Sequence, residues 1–483
     1  MTQNSAVSAE SPPDVGHRLT GNLGTASIVF MVVAVAAPLT VVAGASINLL
    51  ISNGPGITFA YAVGTLIMCL FITGFCAMTP HVKNPGAFYS YVGEGIGPRA
   101  GAGAAFVAML TYFCVQVGVY AYMGFMLGDL VQKWTGGAAP EIPWWAYVAA
   151  GIVVTAYFSY RNIDLSAKVL AFALITEAAL VLIINVAVVL QGGGPEGLSA
   201  TSWLAPEVIF TPALGLAVMF GIGVFMGIES TAIFRDEARN PERTIPRATY
   251  IAVIGTGIFY VLALWSLLQA WGVNGLVPAA EQNPGDLYLA TAAAFLGKVF
   301  SEIVQVFLII SMFACVLSLQ NVTSRYMHSL ANAGLLPGKL GIVHEKHRSP
   351  SFASLVSTGV VTAALLVWVL LGMDPVLQVF PWHIAVGTIS VMALFVITSI
   401  AVIRYFRRTK ADTRPWQTLV APALAVAVIG LVLVLTYANF GILTGEVPAI
   451  TSIALQVLPV VAFLIGVALD RRRRSRNLSA ALQ

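Results

Sequence analysis

The chain has 483 residues, of which 58% are hydrophobic and only 10% charged, and its mean hydropathy is +0.86. No soluble domain of this size has that composition, so the sequence excludes a soluble protein and predicts an integral membrane one. The net charge of +4 comes from 25 Lys and Arg against 21 Asp and Glu, and their placement says more than their sum.

Residues 1–22 are polar and contain Ser11-Pro12-Pro13-Asp14. They lack a basic n-region and a small-residue cleavage site, which predicts a disordered cytoplasmic tail and not a signal peptide. Twelve apolar runs of bilayer-spanning length follow, at about 26–50, 56–79, 100–130, 144–160, 165–190, 212–234, 248–272, 297–322, 351–371, 377–404, 416–437 and 447–469. The first is interrupted at its middle by Ala36-Ala37-Pro38-Leu39-Thr40. The sixth is interrupted by Gly221, Gly223 and Gly227 and carries Glu229 just past the break. A broken helix frees backbone groups that are costly in lipid unless they line a cavity or bind something. Matched breaks in two halves of a chain point to a transporter binding site.

With the N-terminus inside, 23 of the 25 Lys and Arg fall on cytoplasmic loops and inner helix ends; only Lys133 and Lys298 fall outside. The positive-inside rule therefore predicts cytoplasmic N- and C-termini. The run Arg471–Arg474 reads as a membrane-surface anchor, with no aromatic or motif context for nucleic acid. One transporter domain at 23–470 and a basic cytoplasmic tail at 471–483 are expected, with no linker to a second domain. The polar stretch 271–296 predicts an extracellular loop with short helices. Spans 1–5 and 6–10 each open on a broken helix, which predicts a five-plus-five inverted repeat with two spans appended. Cys69, Cys76, Cys114 and Cys315 all lie in apolar runs without metal-ligand spacing and read as small packing residues. No cofactor or metal is implied.

Glu229 is a carboxylate inside a span, which reads as functional or as an acid bonded to freed amides. Glu177 lies near the middle of span 5 with no Lys or Arg within eight residues. Burial without a cation disfavours the charged form, so Glu177 reads as a proton carrier or as a protonated group satisfied by a neighbouring helix. Pro38 has no N–H, and the residue before it is pushed from helical geometry. The half-helix after that break offers amides and a positive dipole end to an anionic group. In span 6, glycines let a substrate approach the backbone. His383 reads as an interface residue or a proton relay. Gln116, Gln305, Gln320 and Asn321 read as helix glue or as substrate contacts.

The string Gly227-Ile228-Glu229, followed by Glu237-Ala238-Arg239-Asn240-Pro241-Glu242-Arg243-Thr244-Ile245-Pro246-Arg247-Ala248, resembles the span 6 signature of the amino acid–polyamine–organocation transporters. Asn84-Pro85-Gly86-Ala87-Phe88-Tyr89, Asn162 through Lys168, and Ser324-Arg325-Tyr326 with Gly334-Leu335-Leu336-Pro337 are similar to its strings before span 3, at the start of span 5 and at the end of span 8. The resemblance implies an all-α membrane fold of twelve helices with a LeuT-like five-plus-five repeat, broken at helices 1 and 6. It implies a proton-coupled permease for amino acids or related amines, working by alternating access in the plasma membrane (a bacterial inner membrane). Substrate, protons and membrane lipids would be its partners, with no nucleic acid, as a monomer or homodimer. By resemblance Ala37, Pro38, Leu39, Thr40, Gly223, Phe225, Met226 and Gly227 occupy the two breaks. Thr111, Tyr112 and Gln116 line the pocket from span 3. Glu229 is the coupling carboxylate, and Glu177 stands where several members carry a Lys in place of sodium. Family amino acid carriers have Gly-Ser/Thr-Gly at the first break; this chain has Pro38-Leu39-Thr40, similar to the family's putrescine importers.

Two other classes carry different expectations. A membrane enzyme needs a nucleophile–base pair or metal cluster inside the spans, and of the six His only His383 lies in one. A non-transporting nutrient sensor needs a signalling appendage, and the sequence predicts none.

Overall fold

A chain in hydrocarbon must satisfy its backbone groups within each segment, and this one does so with helices. The computed structural model describes residues 23–52, 54–82, 87–161, 167–344, 349–445 and 447–481. The predicted tail 1–22 and the strings Asn84-Pro85-Gly86 and Asn162 to Ser166 lie outside the described residues. The helices are α1 Thr25–Ala36, α2 Pro38–Ile51, α3 Ile57–Met78, α4 Ala87–Gly95, α5 Pro98–Thr135, α6 Trp144–Tyr160, α7 Ala167–Leu190 and α8 Leu214–Gly223. There follow α9 Pro241–Gln282, α10 Leu287–Leu296, α11 Lys298–Asn332, α12 Ser351–Leu370, α13 Phe380–Thr409, α14 Ala421–Ala438 and α15 Ala449–Ala481.

Among the described residues, eleven helical segments are long and apolar enough to cross a membrane, against twelve expected. The segment outside that set is α6, a helix of 17 residues rising about 25 Å. Burial separates scaffold from periphery. The apolar windows of α5 and of Leu214–Ala232 are each 78% buried, whereas that of α15 is 17% buried. On α15, Ile453, Val460 and Leu464 point outward, as expected of a lipid-facing surface.

The first span is broken where the sequence predicts it. Helix α1 ends at Ala36, and Ala37 takes a left-handed conformation at φ 48°. For a residue with a Cβ that conformation costs about 1–2 kcal/mol. The ring of Pro38 explains why α1 stops at Ala36, because it disfavours right-handed helical geometry at the residue before. Pro38 then opens α2, where its missing N–H leaves no bond unmade.

The second break falls between Gly223 and Gly227, with Glu229 just past it, and only Gly221 of the three glycines lies outside it. Helix α8 continues through Gly221 and ends at Gly223; turns cover 224–227, with Gly227 at φ 96°, and a tighter helical run covers Ile228–Glu237. Gly221 therefore serves packing. A Cβ there would lie 2.7 Å from Ala60 O, and one on Gly64 would lie 2.4 Å from the Gly221 carbonyl carbon. The backbones of α3 and α8 touch at this crossing, and backbone cannot yield. Gly64→Ala is expected to destabilise the protein by about 1–3 kcal/mol, read as a lower melting temperature in detergent. An unchanged melting temperature would show that the crossing can open.

Two junctions tie segments flanking the broken spans to α9. Leu23, just before α1, pairs with Ala238, just before α9, and Arg239 N donates to Leu23 O at 2.9 Å. At the opposite end α9 kinks at Gly272, φ 76°, and the Glu196 carboxylate accepts from Val273 N at 2.8 Å and Asn274 N at 2.9 Å. Those two amides hold the exposed Glu196 carboxyl below the usual carboxylate range. The stretch 271–296 is thus helical along most of its length, in the end of α9 and in α10.

Candidate functional site

The two breaks face one cavity of about 320 Å³, walled also by α5, α11 and α13. Ala37 and Thr40 reach it from the first break, and Gly223, Met226, Gly227 and Glu229 from the second. Tyr112 closes it from α5 and Tyr326 from α11. The remaining wall is largely apolar, including Val41, Val115, Phe220, Phe380 and Ile384.

Glu229 is 1% exposed. Its Oε1 accepts from the Tyr112 hydroxyl at 2.8 Å, and its Oε2 accepts from Gly227 N at 2.9 Å. The positive φ of Gly227 turns that amide back onto the carboxylate two residues along. Tyr326 meets the Tyr112 ring edge-on at 6.2 Å between centroids. Among the described residues no ion pair is formed by Glu229 or by Glu177. A buried carboxylate with two donors and open volume beside it is suited to a cationic ligand.

Glu177, 4% exposed on α7, lies behind the cavity wall and not in it. Its Oε2 accepts from Ser311 Oγ at 2.9 Å and from Leu39 N at 3.4 Å. Thr40, which does line the cavity, donates to Ser311 Oγ at 3.3 Å. A hydrogen-bonded chain thus runs from the cavity wall to a buried carboxylate seated on the N-terminus of α2, where an anion is favoured. The sequence reading left the amides of this half-helix free for an outside group. The structure corrects that for Leu39, whose amide Glu177 takes.

Other expected pocket residues point elsewhere. Pro38 and Leu39 are buried behind the wall. Thr111 bonds back to Val107 O, and the Phe225 ring packs edge-on to Tyr260. Gln116 turns away from the cavity: its Nε2 donates to Gln320 Oε1 at 2.9 Å, and Gln320 Nε2 donates in turn to Ser354 O and Thr358 Oγ1. These amides join α5, α11 and α12, the helix-glue alternative. His383 is fixed by packing partners. The Trp368 indole can only donate, so it gives its N–H to His383 Nε2, and Nδ1 donates to Val379 O.

The sequence reading missed Ser311, Asn48, Tyr61 and Thr388. Asn48, Tyr61 and Thr388 are among the residues that line the cavity, and their side-chain oxygens are buried; Tyr61 neighbours Asn48, and Thr388 Oγ1 has no hydrogen-bond partner among the described residues. Their only sequence signal is a polar residue inside an apolar run. Among the described residues no group of three or more His, Cys, Asp or Glu could hold a metal ion.

Comparison with known proteins adds an independent line. The profile of the family described as amino acid permease matches residues 27–479. The aromatic amino acid transport protein AroP of Escherichia coli K12 is 27% identical over 337 residues, covering 67% of this chain and 69% of that protein. The low-affinity putrescine importer PlaP of the same strain is 23% identical over 301 residues, covering 60% and 63%. AroP of Salmonella typhi is 26% identical over 337 residues, covering 66% and 68%.

Proposed function

The chain belongs to the amino acid permease family, and from that premise we propose that it is a secondary active transporter of amino acids or related small amines, coupled to protons. The observation that carries the reading is the cavity between two helix breaks with Glu229 in its wall. The substrate's ammonium group would pair with Glu229 beside Tyr112, and its body would lie along the apolar wall. The binding residues in this reading are Ala37, Thr40, Tyr112, Gly223, Met226 and Gly227.

The rest of the proposal follows the same frame. With α6 counted, twelve spans form a five-plus-five repeat plus two, in one domain at 23–470 between cytoplasmic tails. The plasma membrane holds it with both termini inside, as a monomer or homodimer. Spans 1, 2, 6 and 7 (α1 with α2, α3, α8, α9) rock against spans 3–5 and 8–10. Two features support this. The pairing of Leu23 with Ala238 ties the inner ends of both broken spans together. The cavity extends from the breaks toward Arg325, Ser329 and Ala333, the end of α11 that the positive charges assign to the cytoplasm. Glu177 carries the coupled proton, and Ser311 orients it.

One observation favours amines over α-amino acids. Pro38 has no amide to give, and the amide of Leu39 is bonded to Glu177, so the first break has less to offer a substrate carboxylate. Paired ligands test both readings in proteoliposomes under an imposed proton gradient. Phenylalanine against phenethylamine and ornithine against putrescine are suitable pairs. Accumulation of at least one member is expected, with the amine bound as well as its amino acid or better. Accumulation of amino acids alone would leave an ordinary amino acid permease. No accumulation and no thermal shift with any of them would remove the transporter reading.

A further inference from the structure

An apolar pocket discriminates between bodies of different length only where a side chain that cannot yield closes its end. Phe380 is such a side chain. It opens α13, is 4% exposed and lines the cavity. Its ring packs on that of Tyr122 at 4.9 Å between centroids. Tyr122 is fully buried, and its hydroxyl donates to Gly285 O at 2.6 Å. A Cβ on Gly44 would lie 2.9 Å from Phe380 Cζ, so only a glycine lets the ring tip lie against α2.

The packing of α13 on α5 places this ring relative to Glu229. The two helices run antiparallel: Gly387 lies against Val115 and Thr111 O, and Gly118 lies against Phe380 O and His383. The first of these levels belongs to the second break. Tyr112 there holds Glu229, a Cβ on Gly387 would lie 3.6 Å from Met226 Cε, and one on Gly223 would lie 2.5 Å from Thr388 Oγ1. From Gly387 back to Phe380 is about 10 Å of helix. The wall from one level to the other is Val115, Val119 and Ile384, all apolar. The cavity also reaches Arg325 and Ser329 beside Tyr326, where a guanidinium is no seat for an apolar body.

We propose that Phe380 is the residue that limits substrate length: the amine pairs with Glu229, the body lies along α5 and α13, and its far end meets the Phe380 ring. Resting on the amine-binding role of Glu229, this narrows the substrate to an amine whose apolar body is about 10 Å long or shorter. Each methylene added up to that limit exchanges water for apolar wall. One added beyond it has to displace a ring that packs on Tyr122 and meets the α2 backbone at Gly44, and it is disfavoured as overpacking is.

The test measures binding of straight-chain primary amines, from propylamine to decylamine, to the purified full-length protein by thermal shift and by displacement of labelled hexylamine. Affinity is expected to rise roughly fourfold with each methylene. Past one limiting length it is expected to fall by about tenfold or more. In Phe380→Ala the limit is expected to move toward longer amines by about two methylenes or more, and in Phe380→Leu by about one. A general loss of packing would weaken every amine alike, so the limiting length is the readout, and Phe380→Leu serves where Phe380→Ala fails to fold. Partition of long amines into detergent is common to the three proteins and cancels in the comparison. The same limiting length in all three would overturn the role of Phe380 and leave the Glu229 reading intact. So would an affinity that climbs to decylamine without a limit in the unmodified protein. Failure of every amine to bind would overturn the amine-binding reading and the length limit with it.

Discussion

Glu229→Gln is expected to abolish concentrative transport while the purified protein stays folded. Gln keeps the length and most of the shape of Glu, but not the charge. One of the two bonds, from Tyr112 or from Gly227 N, would face an NH2 group that cannot accept. Losing that acceptor costs about 1–3 kcal/mol, and relief from burying an unpaired charge opposes the loss, so stability changes little. Function has no such offset. An ammonium group bound in a dry cavity would lose its counter-charge, which costs about 2–5 kcal/mol, or roughly 30-fold and upward in affinity. Flux of labelled substrate into proteoliposomes, with the melting temperature measured alongside, decides it. Normal accumulation by a well-folded Glu229→Gln protein would remove Glu229 from the site.

The broken spans were legible in the sequence for unequal reasons. Pro38 acts on its own neighbour through sterics, so the first break could be placed to the residue. Glycine has two uses in a membrane helix, a break or a close crossing, and sequence does not separate them. Gly227 takes the first, at φ 96°, and Gly221 the second, against Ala60. Glu229 stood out because charge in an apolar run is conspicuous. Gln116 is a neutral amide in an apolar run, and sequence left it between pocket wall and helix glue, because which face of α5 meets the cavity depends on helices far away in the chain. The contact of Glu177 with Leu39 joins residues 138 apart, and Ser311 shows in sequence only as one hydroxyl among Ile309, Ile310 and Met312. Residues near each other in sequence are constrained by local rules; the wall of a cavity is set by tertiary packing.

The second large effect is expected at Glu177, where charge and hydrogen bonding separate cleanly. Oε2 accepts from both Ser311 Oγ and Leu39 N, and the amide oxygen of Gln can accept both. Glu177→Gln therefore keeps the seat on α2 and removes only the charge and the exchangeable proton. Were Glu177 the carrier, transport in the variant would lose its dependence on pH, and an imposed proton gradient would no longer drive accumulation. Exchange of substrate across the membrane without net accumulation would persist, because the Glu229 site is intact. The neighbouring titratable groups are Tyr260 from α9 and Cys315 from α11. Their ordinary values, about 10 and 8.5, lie well above that of a carboxyl, about 4.3, and Tyr260→Phe with Cys315→Ser is expected to leave the profile in place. Ser311→Ala gives the direction. Losing a donor to the ionised carboxylate favours its protonated form, so the pH profile should move to higher pH, and Ser311→Thr should restore it. A profile in Glu177→Gln that matches the unmodified protein would leave Glu177 as the structural cap of α2, holding the first break open for whatever binds at Glu229.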